Sequence, residues 1–518
     1  MDYLGNNKCL LNANDSRKKE KLDGNSDDSN KSSEMKVAKS INDLFTNAEL
    51  KKLFSYFTLR ELLRLQLVCK RWRTVILQMM LTVKELVFVF EKEADDYVGI
   101  YDDKYMISVL NAEEIIFIVN RCKFVEKVSL FGCKFKSSKK YVYEAIGNVR
   151  RLKSLTLYDC TIQDEDIISL VKRQPSLESI RLRCDQLTDI AFECVKDTCL
   201  NLKSIYFSFN TLKPLSTPFK QTLTAFGLIC YYPSFIDGET LVDCCSAIAN
   251  NSETSLERVT LSVGEHIDCI ECIARFKNLK CIQLELNNSF DQKWRFNYWQ
   301  KLEIIDICAL YTPTNFDDDD LLSIADDCPR LKVLSLKWIP VMRYTTTRRL
   351  HTYYAKPLLI SDKSVTQLSS KLLDLRVLIL QGAKQITNAS IESFHGIAKL
   401  EQLQVHDCPE VSDQCFASFI RRKRSLRVIA VSSTDRFRMT RDAFKQVAKE
   451  QPKYKFYAHL FCLVESENEC TSHTTIIDNL TLFEVDGIDL SFPFTGMWYN
   501  FFDIRVWRVN DYFSWKDR

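Results

Sequence analysis

Apolar residues along most of the chain recur in one unit, apolar-x-x-apolar-x-apolar. It reads Leu152, Leu155, Leu157, then Leu177, Ile180, Leu182, then Leu202, Ile205, Phe207. Leu152 to Leu177 is 25 residues, and Leu177 to Leu202 is 25 more. Further copies start at Leu256, Leu279, Leu302, Leu331, Leu375, Leu400 and Leu426, weaker ones at Val83, Val125 and Leu223, and a closing one at Phe456. Apolar alternation of this kind predicts a short strand with one face buried. Thr188-Asp189, Ser361-Asp362, Thr387-Asn388 and Ser412-Asp413 predict helix N-caps ahead of amphipathic runs. Three positions past the last apolar residue stands a small one, as at Cys133, Cys160, Ala383, Cys408 and Thr434. Strand plus helix at this period predicts an α/β solenoid, parallel strands inside and helices outside, in which each unit buries its apolar face only against its neighbours.

The segment ahead of the repeats has another period. Leu50, Leu53, Phe54 and Phe57 lie at helical spacing, and so do Leu62, Leu65, Cys69, Trp72 and Ile76. Thr58 with Glu61 three residues on reads as a capping box. Three short helices are expected over 39–82. A block of roughly 40 residues is too small for a core of its own, so its apolar surplus must pack elsewhere.

The remaining segments are set by composition. Residues 1–38 are polar and read as a disordered tail, with Arg17-Lys18-Lys19 as solvated charge ahead of an import signal. Leu331 to Leu375 is 44 residues, which places an insertion at about 338–360. It mixes Arg343, Arg348 and Arg349 with Tyr344, Tyr353 and Tyr354. It reads equally as a reader of an acidic or phosphorylated segment and as a mobile insertion. Residues 459–518, with Trp498, Trp507 and Trp515, read as an aromatic capping tail. The repeats themselves span 83–458.

Net charge is only +3, which argues against a general polyanion binder. The chain has 12 Gly, where average usage would give roughly 36. Phosphate cradles and tight catalytic loops are therefore not expected, and no P-loop, HExxH or GxSxG occurs. The 20 Cys are scattered, and Cys269 with Cys272 is a lone CxxC on an apolar helical pattern. Asp317 to Asp320 read as a helix start rather than a cation loop, and Arg421 to Arg424 as the cationic end of a helix. The opening residues lack a signal-peptide core, and no run of about 18 apolar residues exists. A cytoplasmic or nuclear location follows. No catalytic residue, metal, cofactor, nucleic acid or membrane is expected.

Leu44, Leu53-Phe54-Ser55-Tyr56, the Leu59–Leu65 run and Leu67-Val68-Cys69-Lys70-Arg71-Trp72 together resemble an F-box. The repeats resemble the Cys-containing leucine-rich repeats, and the pair resembles the F-box/leucine-rich-repeat family of curved solenoids over residues 41 to 458. The resemblance implies a non-catalytic receptor subunit of a ubiquitin ligase. Its F-box would grip a Skp adaptor, and through it a cullin, a RING subunit and a ubiquitin-conjugating enzyme. The implied adaptor positions are Leu44, Phe45, Leu53, Phe54, Leu59, Leu62, Leu65, Val68, Cys69 and Trp72. Phe45 stands where the family has Pro. The repeats would capture an unknown protein substrate. Strand residues between the leucines are the candidates, each expected to be solvated: Tyr158, Arg181, Arg183, Tyr206, Arg258, Glu285, Asp306, Lys337, Gln404 and His406. The alternative is a repeat scaffold with no ligase role.

Overall fold

In the computed structural model of the chain, the described residues are 44–57, 59–90, 106–109, 111–133, 135, 139–184, 186–209, 218–230, 238–263, 269–286, 294–310, 316–339, 341–344, 350–353, 358–406, 408–426, 428–433, 446, 449–450, 455–462, 471–477 and 480–486. The predicted tail 1–38 and the Thr58 cap lie outside them. The chain divides into two units, 1–49 and 50–518.

In the first unit, Thr46 and Glu49 form a capping box at the start of the Asn47–Phe54 helix. The Thr46 amide donates to the Glu49 carboxylate at 2.7 Å, and the Glu49 amide donates to Thr46 Oγ1 at 3.3 Å.

The second unit opens with the remainder of that helix, then helices Leu59–Leu65 and Lys70–Met80. Cys69 caps the last of these, its Sγ accepting from the Trp72 amide at 3.4 Å. The Phe54 ring meets Trp72 edge-on at 5.0 Å. Leu50, Phe54, Leu59, Leu62, Val75, Ile76 and Met80 are buried in the same core as the repeat leucines. The small helical block therefore borrows the core of the array, as its size requires. Each large apolar side chain buried this way contributes about 1.5–3 kcal/mol.

One 17-stranded sheet runs through the unit. Its strands pair in the order Met106–Val109, Glu85–Phe90, Lys127–Phe131, Ser154–Tyr158, Ser179–Arg183, Ser204–Phe209, Ala225–Cys230, Arg258–Val263, Cys281–Leu286, Ile304–Leu310, Val333–Ile339, Val377–Gln381, Gln402–His406, Val428–Ser433, Lys455–Cys462, Leu480–Asp486 and Thr471–Ile477. All pairs are parallel except the last. The fixed repeat length holds the register, so Leu155 faces Ile180 and Ile180 faces Ile205. Pairing continues past Phe456, because Leu480–Asp486 joins the edge that the Lys455–Cys462 strand leaves open.

Helices Ala112–Arg121, Lys139–Gly147, Asp164–Arg173, Asp189–Thr198, Gly238–Ser252, Asp318–Asp327, Asp362–Lys371 and Asp413–Arg422 connect strands, with shorter turns at Cys269–Ala274 and Asn388–Ser393. Asp317 caps its helix in a box with Asp320, which bears out the helix-start reading of that acidic run. Between 294 and 303 there is no helix. Buried Trp294, Phe296 and Trp299 fill the layer instead, with Trp294 stacked on Phe296 at 5.9 Å. Within the insertion, Val341–Tyr344 pairs antiparallel with Leu350–Tyr353 as a separate ribbon.

Polar ladders bind each repeat to the next. The first carboxylate or amide of a helix also serves the cap of the following helix. Asp164 accepts from the Thr188 amide and hydroxyl at 3.0 and 2.5 Å, Asp318 from Ser361 at 2.7 and 2.7 Å, and Asp362 from Thr387 at 2.8 and 2.7 Å. Asn388 does the same for the Ser412 amide at 2.9 Å. Helix C-terminal carbonyls, which have no intrahelical partner, are met by the next repeat. Gln174 Nε2 donates to Gly147 O and Val149 O at 2.8 and 2.6 Å, and Lys423 Nζ to His395 O and Ile397 O at 3.1 and 2.5 Å. The small residues after the strands do similar work: Cys160 Sγ donates to Leu130 O at 3.5 Å and Cys184 Sγ to Leu157 O at 3.8 Å. Along one margin of the sheet, charges alternate: Lys84 pairs with Glu126, Glu126 with Lys153, Glu178 with Lys203, Glu257 with Lys280, and Glu303 with Lys332.

Candidate functional site

The ten positions expected to meet an adaptor divide by burial. Phe54, Leu59 and Leu62 are buried and Leu65, Cys69 and Trp72 are half-buried, so these six build the helical block. Leu53 and Val68 are exposed, and in the first unit so are Leu44 and Phe45. The most exposed apolar residues of the block fell outside the predicted set: Leu67, 83% exposed, and Tyr56, 79% exposed. Both lie where helices end in tightened turns. The Tyr56 amide donates to Leu53 O at 3.2 Å, the Leu67 amide to Arg64 O at 3.1 Å and the Val68 amide to Leu65 O at 3.1 Å. Helical periodicity ranks such residues low because they sit off the apolar stripe. The usable signal is an apolar residue at the end of a helix, where that stripe has run out. Leu53, Tyr56, Leu67 and Val68 thus stand exposed in a short stretch whose other large apolar residues are buried or half-buried.

The second group lies on the sheet face away from the helices. Strand pairing sets all of these but Arg258 in two rows, while Arg258 faces Ala225 and Cys281 in a third. One runs Thr156, Arg181, Tyr206, Gly227, Thr260, Gln283, Asp306, Ser335, Ile379, Gln404. The other holds Tyr158, Arg183 and Ser208, then Ser262, Glu285, Cys308, Lys337, Gln381 and His406. The expected solvation fails for most of them. Tyr158, Arg183, Tyr206, Asp306, Lys337, Gln404 and His406 are buried, while Arg181, Arg258 and Glu285 are half-buried.

Neighbours account for part of this burial. The Arg181 guanidinium lies 4.7 Å from the centre of the Tyr206 ring, and the Arg183 guanidinium 4.9 Å from that of Tyr158. Tyr206 leans over Gly227, where a Cβ would come within 2.2 Å of its Cδ1, so only glycine fits that rung. Burial raises the Tyr206 phenol above its ordinary value. Thr260 Oγ1 donates to Gln283 Oε1 at 2.9 Å. Lys337 Nζ sits 3.0 Å from Asp306 Oδ1, with both side chains 2% exposed.

Burial pushes the Cys122, Cys199, Cys281 and Cys328 thiols up to about 12, so they remain protonated and inert at neutral pH. Among the described residues, no three His, Cys, Asp or Glu are placed to hold a metal ion. Nor is any described helix long and apolar enough to cross a membrane. What the molecule presents is an exposed apolar helical surface and a long sheet face lined with aromatic, amide and charged groups.

Comparison with known proteins adds one family match. Residues 50–81 match the family described as F-box-like. The solved structure of the Rad7 and Elc1 complex in yeast contains a chain 15% identical, aligned over 79% of this chain and 92% of its own, at a TM-score of 0.43. A leucine-rich-repeat protein of Leptospira interrogans is 14% identical over 71% of this chain and 99% of its own, at a TM-score of 0.28. No curated protein matches the sequence.

Proposed function

From a chain in which F-box-like helices lead into leucine-rich repeats, we infer a substrate-receptor subunit of a ubiquitin ligase. The exposed helical surface binds a Skp-type adaptor, and the repeats capture a protein substrate. The observation that carries this reading is that the segment matching the F-box leaves Leu53, Tyr56, Leu67 and Val68 in water. An apolar surface on a block that otherwise buries its leucines gains from docking a partner's apolar face.

The receptor itself supplies position. Binding substrate and adaptor in one assembly raises the effective concentration of the substrate lysine near the ubiquitin thioester, which cullin, RING subunit and conjugating enzyme bring. No acid, base or nucleophile of this chain is called on. Leu44 and Phe45 extend the apolar surface in sequence, with Phe45 where the family has Pro.

The test is capture of adaptor and cullin by the tagged chain, beside a Leu67→Asp, Val68→Asp variant. Each exposed hot spot is worth about 2 kcal/mol or more, so the double variant should lose adaptor binding by well over about thirtyfold. Its thermal unfolding should stay close to wild type, since exposed positions usually shift stability by about 0.5 kcal/mol or less. A folded wild-type chain that captures neither protein would leave the array as a scaffold with no ligase role.

A further inference from the structure

The sheet face away from the helices changes charge along its length. From Lys127–Phe131 to Arg258–Val263 it carries Lys127, Arg181, Arg183 and Arg258 and, among the described residues of these strands, no carboxylate. Glu85 bounds this stretch on one side and Glu285 on the other, and Asp159 stands at the rim, past the end of its strand. The margin carboxylates Glu126, Glu178 and Glu257 are each paired with lysine. Access changes as well. Lys127 is exposed and Arg181 and Arg258 are half-buried, whereas farther along the sheet Asp306 and Lys337 are closed off and paired. Between Lys127 and Arg258 the row holds Ser154, Ser179, Ser204 and Ala225, all short, so two cations flank a low trough in the sheet. Arg181 stands beside it, stacked 4.7 Å from the centre of the Tyr206 ring. Arg181 and Arg258 both act electrostatically on that phenol, so cations from strands three steps apart converge on one ring. A guanidinium stacked on a ring keeps its edge for a carboxylate or phosphoryl group, which can take two N–H donors at once.

We propose that this trough binds a short acidic segment of the protein substrate, through its carboxylates or phosphoryl groups. The inference rests on the reading of the repeats as the substrate-capturing part of the chain. Charge complementarity selects the occupant: an anion between Lys127, Arg181 and Arg258 relieves the repulsion among cations that no strand carboxylate offsets. The bounds select its length. Five strand steps separate Lys127 from Arg258, about 24 Å at the usual spacing, which roughly seven extended residues span. A continuous polyanion would run on past Glu85 or Glu285 and meet repulsion there, so a peptide with a local run of negative charge fits better than a nucleic acid.

The test is fluorescence anisotropy of the full chain with three labelled peptides, each roughly ten residues long. One alternates Ser and Glu, one alternates Ser and Gln, and the third is the Ser–Gln peptide with its serines phosphorylated. At low salt an anionic peptide should bind at least about tenfold more tightly than the neutral one, and the advantage should shrink as salt rises. The tighter of the two anionic peptides tells whether carboxylates or phosphoryl groups are read. Arg181→Gln, Arg258→Gln should weaken that binding at least about tenfold. Lys172→Gln, Arg330→Gln removes the same charge from exposed positions outside the trough and should change it less than about twofold. Equal binding of neutral and anionic peptides would overturn the proposal, and so would an Arg181, Arg258 variant that binds as wild type does. If that variant does not fold, Lys127→Gln at an exposed position decides: a loss of about threefold or more supports the trough, and no loss rejects it. Competition by a short oligouridylate as effective as the anionic peptide would give the trough to nucleic acid instead. A chain that captures adaptor but ignores all three peptides refutes this inference alone, whereas one that binds the anionic peptide without capturing adaptor refutes only the ligase reading.

Discussion

In residues 50–81, Leu53, Tyr56, Leu67 and Val68 stand in water, while on the inner sheet face Asp306 and Lys337 stand out of it. The usual allocation of apolar and charged groups is reversed in both places, for different reasons. The helices complete their own packing with Phe54, Leu59 and Leu62 and leave the next apolar residues over. The sheet face buries charge, but the charge is paired at 3.0 Å. The first arrangement leaves apolar surface free for the proposed partner, and the second is settled by pairing within the chain. Substitutions in the first should be felt in binding, and substitutions in the second in stability.

Asp306→Ala is the most severe test of that division. It strands the Lys337 ammonium in a site closed to water, and breaking a buried pair on one side costs about 3–5 kcal/mol. Chemical denaturation should show a loss of that size. The joint change Asp306→Leu, Lys337→Met should recover most of it, because two apolar groups of similar volume need no pairing. A mild Asp306→Ala would mean that water reaches the pair and that the inner face is open after all. The Leu67→Asp, Val68→Asp variant is the converse case. A large stability loss there would place those residues in the fold rather than on its surface.

Why the two regions differed in legibility follows from where their determinants lie. Strand positions such as Leu155, Ile180 and Ile205 were plain because parallel stacking forces one apolar spacing on every repeat. The burial of the helical block against the repeats followed from its size. Leu67 and Tyr56 were missed as surface residues because periodicity finds what packs, and these two end helices. The inner-face residues were read as solvated because a strand's own sequence carries no record of what lies over it. Trp294, Phe296 and Trp299 replace a helix with aromatic bulk, and a break in the amphipathic pattern there gave no positive sign of what filled the gap.

The cap ladder sits between the two extremes, partly buried and paired. The sequence signal Ser/Thr-Asp/Asn was legible as a cap, but its second role, in the next repeat, was not. Asp362 accepts from the Thr387 amide and hydroxyl and from the Ser390 amide and hydroxyl. Burial works against its ionisation, and these hydrogen bonds outweigh burial, leaving the carboxyl below its ordinary value. Asp318 is held low in the same way by Ser361 and Ser364. Asp362→Ala should cost about 1–2 kcal/mol. Because the folded value lies below the unfolded one, this stabilisation is complete above about pH 4 and fades as pH falls through the depressed value. Asp362→Asn keeps an acceptor, as Asn388 does naturally for Ser412. It should lose less stability and flatten the acid limb of a denaturation profile. An unchanged acid limb would assign that limb to other carboxylates.

The smallest effect is expected on the alternating margin, and it completes the contrast with Asp306. Lys203 Nζ lies 2.7 Å from Glu178, closer than Lys337 to Asp306, yet Lys203 is 62% exposed and Glu178 37%. Distance alone would rank this pair the stronger. Solvent screening reverses the ranking, since exposed pairs are worth about 0–1 kcal/mol. Glu178→Lys sets a third cation between Lys153 and Lys203 on adjacent strands. It should destabilise by no more than about 1 kcal/mol at low salt, and the loss should vanish near 1 M salt, where the screening length falls to about 3 Å. The Asp306→Ala loss should persist at the same salt, because ions do not enter a site that excludes water. Denaturation of both variants across a salt series therefore separates charges that order neighbouring repeats from charges that the fold depends on. If the Asp306→Ala loss also disappears with salt, the inner face is wet and its pair is screened as the margin pairs are.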